Sequence, residues 1–290
     1  MAFANHYANI MLDLECTSVE APNPAIIELA AVHFDSDTGA ELGSLKTPIN
    51  LKSCLDKGLV TDEGAEGDCT WNWLHHNIPE TLIRSQETSV SLEQALFKLS
   101  QFVRKSCATW EERQQSLGNP VRKSVQPIIW GNGAVADNIW IRSAYQACGM
   151  ERPWRFTSDI CVRTAMHLVQ SMSGRNFKYG EQFEGNAHDA LDDCRHQIKY
   201  LVKAVNYIKE GERLRRSAKS LEVFNNSFQS IDCVRSRFQP SHLILSQLSR
   251  TFSLLAKMSR KVGLPKDARN ESLQVMLNFT SSTLDFIALR

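Results

Sequence analysis

The sequence predicts an α/β fold in which helices pack on a mixed, five-stranded sheet. Two observations favour this fold. The first 50 residues alternate short apolar runs with turn residues, which is typical of strands joined by tight connections. After residue 70, stretches with apolar residues every three or four positions alternate with two further short strand candidates, which indicates helices that cover a sheet.

Three strands are predicted near the N-terminus, over residues 8–14, 25–35 and 41–50. Segment 18–24 separates the first two and contains two prolines and an asparagine, which block regular structure. An Asp-Thr-Gly turn at 37–39 separates the second strand from the third. Because these connections are short, we expect the three strands to form an antiparallel meander.

The following residues predict alternating helices and strands. The last helix, over 190–209, has the clearest amphipathic pattern, since its apolar residues recur at spacings of three and four. The other predicted elements are helices over 70–76 (with Thr70 as a capping residue), 91–106 and 133–148 (ended by Gly149), strands over 126–131 and 155–160, and an insertion or long loop over 107–124.

The net charge of +1 conceals two segments of opposite character. Residues 1–211 hold 20 Lys and Arg against 26 Asp and Glu, whereas residues 212–290 hold 13 against 6 and include 13 serines. We therefore predict a folded domain over 1–211 and a basic, loosely ordered C-terminal extension over 212–290, with a candidate helix at 242–258. The extension either adds phosphate contacts or has no folded role, and truncation at Gly211 separates these alternatives.

Composition and cysteine spacing exclude several classes of protein. No apolar run approaches the roughly 18 residues of a membrane span, and the first residues lack the charged and apolar regions of a secretory signal. The eight cysteines are scattered without a Cys-x-x-Cys pair, unlike those of a disulfide scaffold or a zinc ribbon. We expect an intracellular protein, cytoplasmic or nuclear, with reduced thiols and no membrane partner.

Carboxylates stand at two points where strands end. Asp13 and Glu15 lie two residues apart on the first predicted strand, so both project from the same face. Such a pair either occupies an exposed strand end or needs a cation, because an unpaired buried charge is costly. Asp137 follows the strand at 126–131, where a carboxylate either favours the helix N-terminus or takes part in a site.

A third acidic cluster, over residues 187–197, spans the start of the last predicted helix. One interpretation is a solvated N-terminal turn. A zinc site is another, because His188, Asp192 and His196 are spaced by four, provided that the helix begins before His188. If Asn186 or Asp189 caps the helix instead, His188 lies on the preceding loop.

Together these clusters form Asp-x-Glu on the first strand, Asp after the fourth strand and His-x-Ala-x-x-Asp at the last helix. This pattern resembles the DEDDh family of 3′–5′ exonucleases, which share a ribonuclease H-like fold. The segments PAIIELAAVHFD-TG, IWGNGAVADN and PWRF are most similar to a small single-domain exoribonuclease branch, and the resemblance covers residues 8–209. Asp189 stands where the tyrosine variant of the family has Tyr, so the histidine variant is the match.

The resemblance implies a role for each residue of the pattern. Asp13, Glu15, Asp137 and Asp193 would bind two divalent cations, Mg²⁺ or Mn²⁺, since hard cations prefer carboxylate oxygen. His188 would be the general base, because histidine ordinarily titrates near neutral pH. The candidate substrate contacts are Cys16 (where the family usually has Thr), Thr17, Trp73 and Asn132, with Trp71 as a further stacking or core aromatic.

The implied function is metal-dependent 3′–5′ exonucleolytic hydrolysis of single-stranded or 3′-overhanging nucleic acid, with RNA preferred over DNA. Dimers are common in the family, so a homodimer is compatible with the resemblance. Three alternatives stay open: a DNA exonuclease of the proofreading or trimming type, a non-catalytic nucleic-acid-binding protein on the same fold, and a zinc protein built on the histidines.

Overall fold

A five-stranded sheet organises the N-terminal part of the chain. The computed structural model describes residues 6–65, 67, 69–119 and 124–235. The strands are β1 (Tyr7–Cys16), β2 (Ile26–Phe34), β3 (Glu41–Pro48), β4 (Gln126–Gly131) and β5 (Asp159–Cys161). Their order is β3-β2-β1-β4-β5, with β1, β2 and β3 antiparallel in succession and β4 parallel to both β1 and β5. The predicted mixed sheet of a ribonuclease H-like fold and its N-terminal meander are confirmed.

Helices follow the strands as the periodicity predicts. They are α1 (Leu51–Leu55), α2 (Thr70–Asn77), α3 (Pro79–Glu87), α4 (Leu92–Ser116), α5 (Asp137–Ala147), α6 (Val162–Ser173) and α7 (Ala190–Arg235). The predicted helices correspond to α2, α4, α5 and α7. Helices α1, α3 and α6 were not predicted, because they are short or begin without a typical capping residue.

The sheet buries apolar side chains on both faces. Alternate residues of β1 point to opposite sides, so that Ile10 and Leu12 belong to a core with α2 to α5, whereas Met11 packs in a second core with residues of α6 and α7. All nine residues of β2 are buried. The central strand β1 is therefore covered by helices on both sides, and its carboxyl end opens to a cleft.

Four local predictions need correction. Residues 107–116 continue α4 instead of forming a loop, because buried Trp110 extends the apolar face of the helix against Ala8 and Val125. Thr70 is the first residue of α2 and not its cap; the Asp62 carboxylate accepts hydrogen bonds from the Thr70 and Trp71 amides at 2.9 and 2.8 Å. The helix predicted from residue 133 begins at Asp137, and within 155–160 only Asp159 and Ile160 are extended.

The chain divides into two compact units, Met1–Tyr207 and Ile208–Arg290. In the second unit the described residues, 208–235, are helical, and exposed pairs such as Glu212 with Arg215 and Arg216 link successive turns. The helix predicted over 242–258 lies outside the described residues. Within the described part of the chain, no helix has the length and hydropathy needed to cross a membrane.

Candidate active site

Three chain segments bring carboxylates to one edge of the sheet. Because β1 and β4 are parallel, their carboxyl ends meet at this edge, the usual position of a site in an open α/β sheet. Asp13 and Glu15 end β1, and Asp137 begins the helix that follows β4. Asp193 lies in the first turn of α7, directly across this edge.

The start of α5 is fixed against the sheet by close packing. Asn138 donates hydrogen bonds to the Ile129 carbonyl and to Asp159 Oδ1, both at 3.3 Å, and so joins the helix to β4 and β5. Gly131 allows this approach, since a Cβ there would lie 2.2 Å from Asn138 Oδ1 and 3.1 Å from Asp137 Cβ. The Gly-rich segment after β4 therefore positions Asp137.

A cleft of about 570 Å³ lies at this edge and is lined by all five predicted catalytic residues, Asp13, Glu15, Asp137, His188 and Asp193. Carboxylate oxygens of Asp13, Glu15 and Asp193 all lie within 4.8 Å of one another. Gln197 Nε2 donates to Asp13 Oδ1 at 2.7 Å, and the Gly133 amide donates to Asp137 Oδ2 at 3.2 Å. The geometry thus brings together carboxylates that are up to 180 residues apart in the chain.

Like charges and burial make this cluster electrostatically unfavourable without a counterion. Burial raises the pKa of Glu15 to about 8, with the Asp193 and Glu28 carboxylates adding to the effect. Burial and the neighbouring Asp137, Glu15 and Asp193 carboxylates raise the pKa of Asp13 well above its usual range. Burial also raises the pKa of Asp137, to about 6, although a hydrogen bond from Gly133 opposes the rise.

The donor set fits divalent cations. Convergent carboxylate oxygens in a partly desolvated cleft match the preference of Mg²⁺ and Mn²⁺ for oxygen ligands. The group of Asp13, Glu15 and Asp193 is the candidate metal cluster found in the described residues, and Asp137 faces the same cleft. A divalent cation would remove the repulsion that raises these pKa values.

His188 lies on the loop before α7 in a left-handed backbone conformation, with φ of 62°. Its ring meets the Trp73 ring edge-to-face at 4.8 Å between centroids. The helix begins at Ala190, where Asp189 Oδ1 accepts from the Leu191 and Asp192 amides at 3.1 and 3.3 Å and so caps it. This start leaves His188 free to face the cleft.

The alternative of a zinc site formed by His188, Asp192 and His196 is wrong, because of where α7 begins. It required a helix that begins before His188, and α7 starts after that residue. His196 instead packs against the Phe183 and Tyr200 rings, at 4.8 and 5.5 Å between centroids. Asp192 accepts a hydrogen bond from the Asn186 amide at 3.0 Å.

A buried ion network supports the wall behind the cleft. Glu28 is fully buried on β2, directly opposite Glu15 in the strand register. The ammonium of Lys46 on β3 lies 3.2 Å from Glu28 Oε1 and also pairs with Asp189, the residue that caps α7. Arg84 adds a longer pair with Glu28, at 3.7 Å. Lys46 therefore ties the sheet to the loop that holds His188.

A family model described as the 3′-5′ exoribonuclease Rv2179c-like domain matches residues 8–205. The chain belongs to this exoribonuclease family. It is a 3′–5′ exonuclease, a hydrolase of phosphodiester bonds, and the predicted membership of such a family is confirmed. No curated protein matches the chain.

Solved structures of other nucleases are similar to the chain. The nuclease domain of 3′hExo, a DEDDh family member bound to rAMP, shares 13% identity at a TM-score of 0.42, over 68% of this chain and 91% of that one. Cell-death related nuclease 4 (CRN-4) shares 16% sequence identity at a TM-score of 0.47, and the match covers 70% of this chain and 66% of that one. A third similar structure is that of a 3′-exonuclease described in 3′-end-specific recognition of a histone mRNA stem-loop. It shares 14% sequence identity at a TM-score of 0.43, and the match covers 69% of this chain and 83% of that one.

Three of the four predicted substrate contacts line the cleft, and the fourth, Thr17, is buried. Cys16, Trp73 and Asn132 line the cleft. Thr17 is fully buried, and its hydroxyl faces the Ala25 and Val60 carbonyls at 3.2 and 2.9 Å, so this side chain holds the turn after β1. Trp71 is buried in the main core, as its alternative interpretation had it.

Three polar residues in or beside the cleft were not predicted, namely Gln197, Arg163 and Lys46. Gln197 holds Asp13, and Arg163 lines the cleft and acts on Asp137 by its charge. The only sequence signal for Gln197 is its position four residues, about one helical turn, after Asp193. Arg163 and the Lys46 network carry no local signal, because only the folded sheet brings them to the site.

Proposed function

We propose that this exonuclease removes nucleotides from single-stranded RNA 3′ ends with two divalent cations and His188 as general base. The observation that supports the proposal is the convergence of Asp13, Glu15, Asp137, His188 and Asp193 on one cleft. The description of the family as exoribonucleases favours RNA over DNA.

The four carboxylates would hold the cations, either Mg²⁺ or Mn²⁺. When bound, two such cations supply Lewis-acid stabilisation of the charge that develops on the attacking and leaving oxygens. Gln197 fixes the orientation of Asp13, and the Gly133 amide fixes that of Asp137. The chain therefore supplies rigid carboxylates and leaves the acidic cluster to be neutralised on cation binding.

His188 would accept the proton of the attacking water. Two observations support this role: the His188 ring contacts the Trp73 ring, and His188 lines the same cleft as Asp193. The exposed surface beside Trp73 would receive the terminal base, for which stacking on an aromatic ring supplies roughly 1–3 kcal/mol. Cys16 also lines the cleft, and its main chain would contact the terminal nucleotide.

The test is an end-labelled panel of RNA and DNA, single-stranded and with 3′ overhangs, incubated with Mg²⁺, Mn²⁺ or EDTA. We expect a ladder from 5′-labelled RNA with either cation and none with EDTA. Faster hydrolysis of DNA than of RNA would overturn the RNA preference, and hydrolysis in EDTA would overturn the metal dependence.

The role of His188 needs a variant that preserves the strained backbone. Asn tolerates the left-handed conformation better than Ala, so His188→Asn removes the base with less risk to the loop. We expect His188→Asn to lose turnover by about 10²–10⁴-fold while Mn²⁺ binding by calorimetry is retained. Asp13→Asn should lose both, and full turnover of His188→Asn would refute the assignment.

A further inference from the structure

A second concavity, about 180 Å³ in volume, adjoins the catalytic cleft. The two share Asn132 and Arg163 in their walls. We call the smaller one the basic groove. Its remaining wall is formed by residues of α6, of the segment after α6 and of α7, namely Val162, Met166, His167, Gln170, Asn176, Lys178 and Tyr200.

The charge of the basic groove is opposite to that of the cleft. The cleft is lined by four carboxylates, whereas the described residues that line the groove include no Asp or Glu. Arg163, His167 and Lys178 supply cationic or protonatable groups. Asn132 and Gln170 supply side-chain amides, and Asn176 Nδ2 donates to Gln170 Oε1 at 3.3 Å, which leaves the Gln170 amide nitrogen to donate to a ligand. This combination of charge and amide donors suits phosphate oxygens.

The fold aligns these groups along one line. Arg163, His167 and Gln170 are spaced by four and three on α6, so they share one face of that helix. The Arg163 amide donates to the Asn132 carbonyl at 3.2 Å, which joins the start of α6 to the loop after β4. Arg163 therefore stands at the boundary, where its charge also reaches Asp137.

We infer that the basic groove binds the backbone phosphates of the nucleotides upstream of the scissile bond. The inference rests on the proposed function, because it gives the strand that enters the cleft a path away from it. Carboxylates at the cleft repel every phosphate except the one that the cations hold, so the upstream strand needs cationic side chains. The groove has about a third of the volume of the cleft, which suits the sugar-phosphate backbone and leaves the bases outside.

The experiment measures how the 290-residue chain hydrolyses and binds two substrates. A dinucleoside monophosphate has only the scissile phosphate, whereas a decanucleotide RNA also has upstream phosphates. We expect Lys178→Gln to raise the KM for the decanucleotide about five-fold with kcat unchanged, and to leave the dinucleoside monophosphate unaffected. Decanucleotide binding is also measured by fluorescence anisotropy in EDTA at several salt concentrations. The slope of log binding constant against log salt concentration should be shallower by about 0.7 in Lys178→Gln than in the wild type, the value for one phosphate contact on a single strand.

The matched control is Lys52→Gln, which removes an exposed Lys on α1 with a side chain 79% exposed. Lys178→Glu should exceed Lys178→Gln in effect, because it reverses the charge. If neither Lys178 variant differs from Lys52→Gln on the decanucleotide, or if both substrates are affected equally, the groove is not the strand path. Failure of the wild-type chain to hydrolyse either substrate would instead overturn the proposed function.

Discussion

Replacing Glu15 by Gln should stabilise the metal-free protein while abolishing its activity. The folded protein raises the pKa of Glu15 to about 8, mainly by burial and then by the Asp193 carboxylate, whereas the unfolded chain keeps the ordinary value near 4.5. The folded state therefore binds the Glu15 proton more tightly than the unfolded state does. Stability is lost as the pH rises above 4.5, and the loss grows until about pH 8.

The magnitude follows from the two pKa values. The penalty on folding is under about 1 kcal/mol at pH 5 and about 3 kcal/mol at pH 7, since each pKa unit corresponds to about 1.4 kcal/mol. Folding without metal must protonate the Glu15 carboxylate, which is ionised in the unfolded chain above pH 4.5, whereas Gln is neutral in both states and carries no such penalty. We expect the variant to gain these amounts in free energy of unfolding.

The assay is urea denaturation in EDTA at pH 5 and pH 7. Glu20→Gln is the matched control, because Glu20 is an exposed carboxylate just beyond the same strand. Mn²⁺ at 1,000 times its Kd should reverse the order at pH 7, since a ligand at that concentration stabilises the wild type by about 4.1 kcal/mol and the variant lacks one of the metal carboxylates. An equal gain at both pH values, or no gain, would refute the electrostatic reasoning.

Two further substitutions test the supports of the site. Lys46→Met should destabilise the protein by about 3–5 kcal/mol in urea denaturation, because it leaves the buried Glu28 with only the longer Arg84 pair. The control Lys52→Met, which removes an exposed pair with Asp56, should cost less than about 1 kcal/mol. Similar values for both variants would contradict the stabilising role of the Lys46–Glu28 pair. Gly131→Ala should cost about 1–3 kcal/mol and at least ten-fold in metal-dependent turnover, because its Cβ would displace Asn138 and Asp137, whereas Gly43→Ala, with its nearest contact at 3.8 Å, should keep full turnover. Normal activity of Gly131→Ala would show that Asp137 is not positioned by this contact.

Local sequence patterns predicted the sheet because each strand is short, apolar and bounded by turn residues. Strand β1 and helix α7 were recognisable from their own residues. The end of α4 was not, because 107–116 is polar apart from buried positions such as Trp110, whose partner Ala8 lies a hundred residues away. Boundaries set by distant packing leave little trace in the local sequence.

The residues of the candidate site also fall into two groups, those recognisable from the local sequence and those positioned only by contacts between distant elements. The five residues at the cleft are recognisable from their order and spacing in the sequence, since the four carboxylates lie at the end of a strand or in the first turn of a helix and His188 lies on the loop just before α7. The residues that hold or extend the site, Gln197, Lys46 and Arg163, act through contacts across different elements. No spacing rule relates Lys46 to Asp189, 143 residues later.

The raised pKa values of the carboxyl groups at the cleft bear directly on how His188 is tested. Because the pKa of Glu15 is about 8 and that of Asp137 about 6, cation binding near neutral pH must release protons, and apparent metal affinity rises with pH. An acid limb in a pH–activity profile then has two sources, loss of the cations and protonation of the base. The two separate only when the cation is saturating at every pH. Under that condition the limb that remains in the wild type and is absent from the residual activity of His188→Asn belongs to His188.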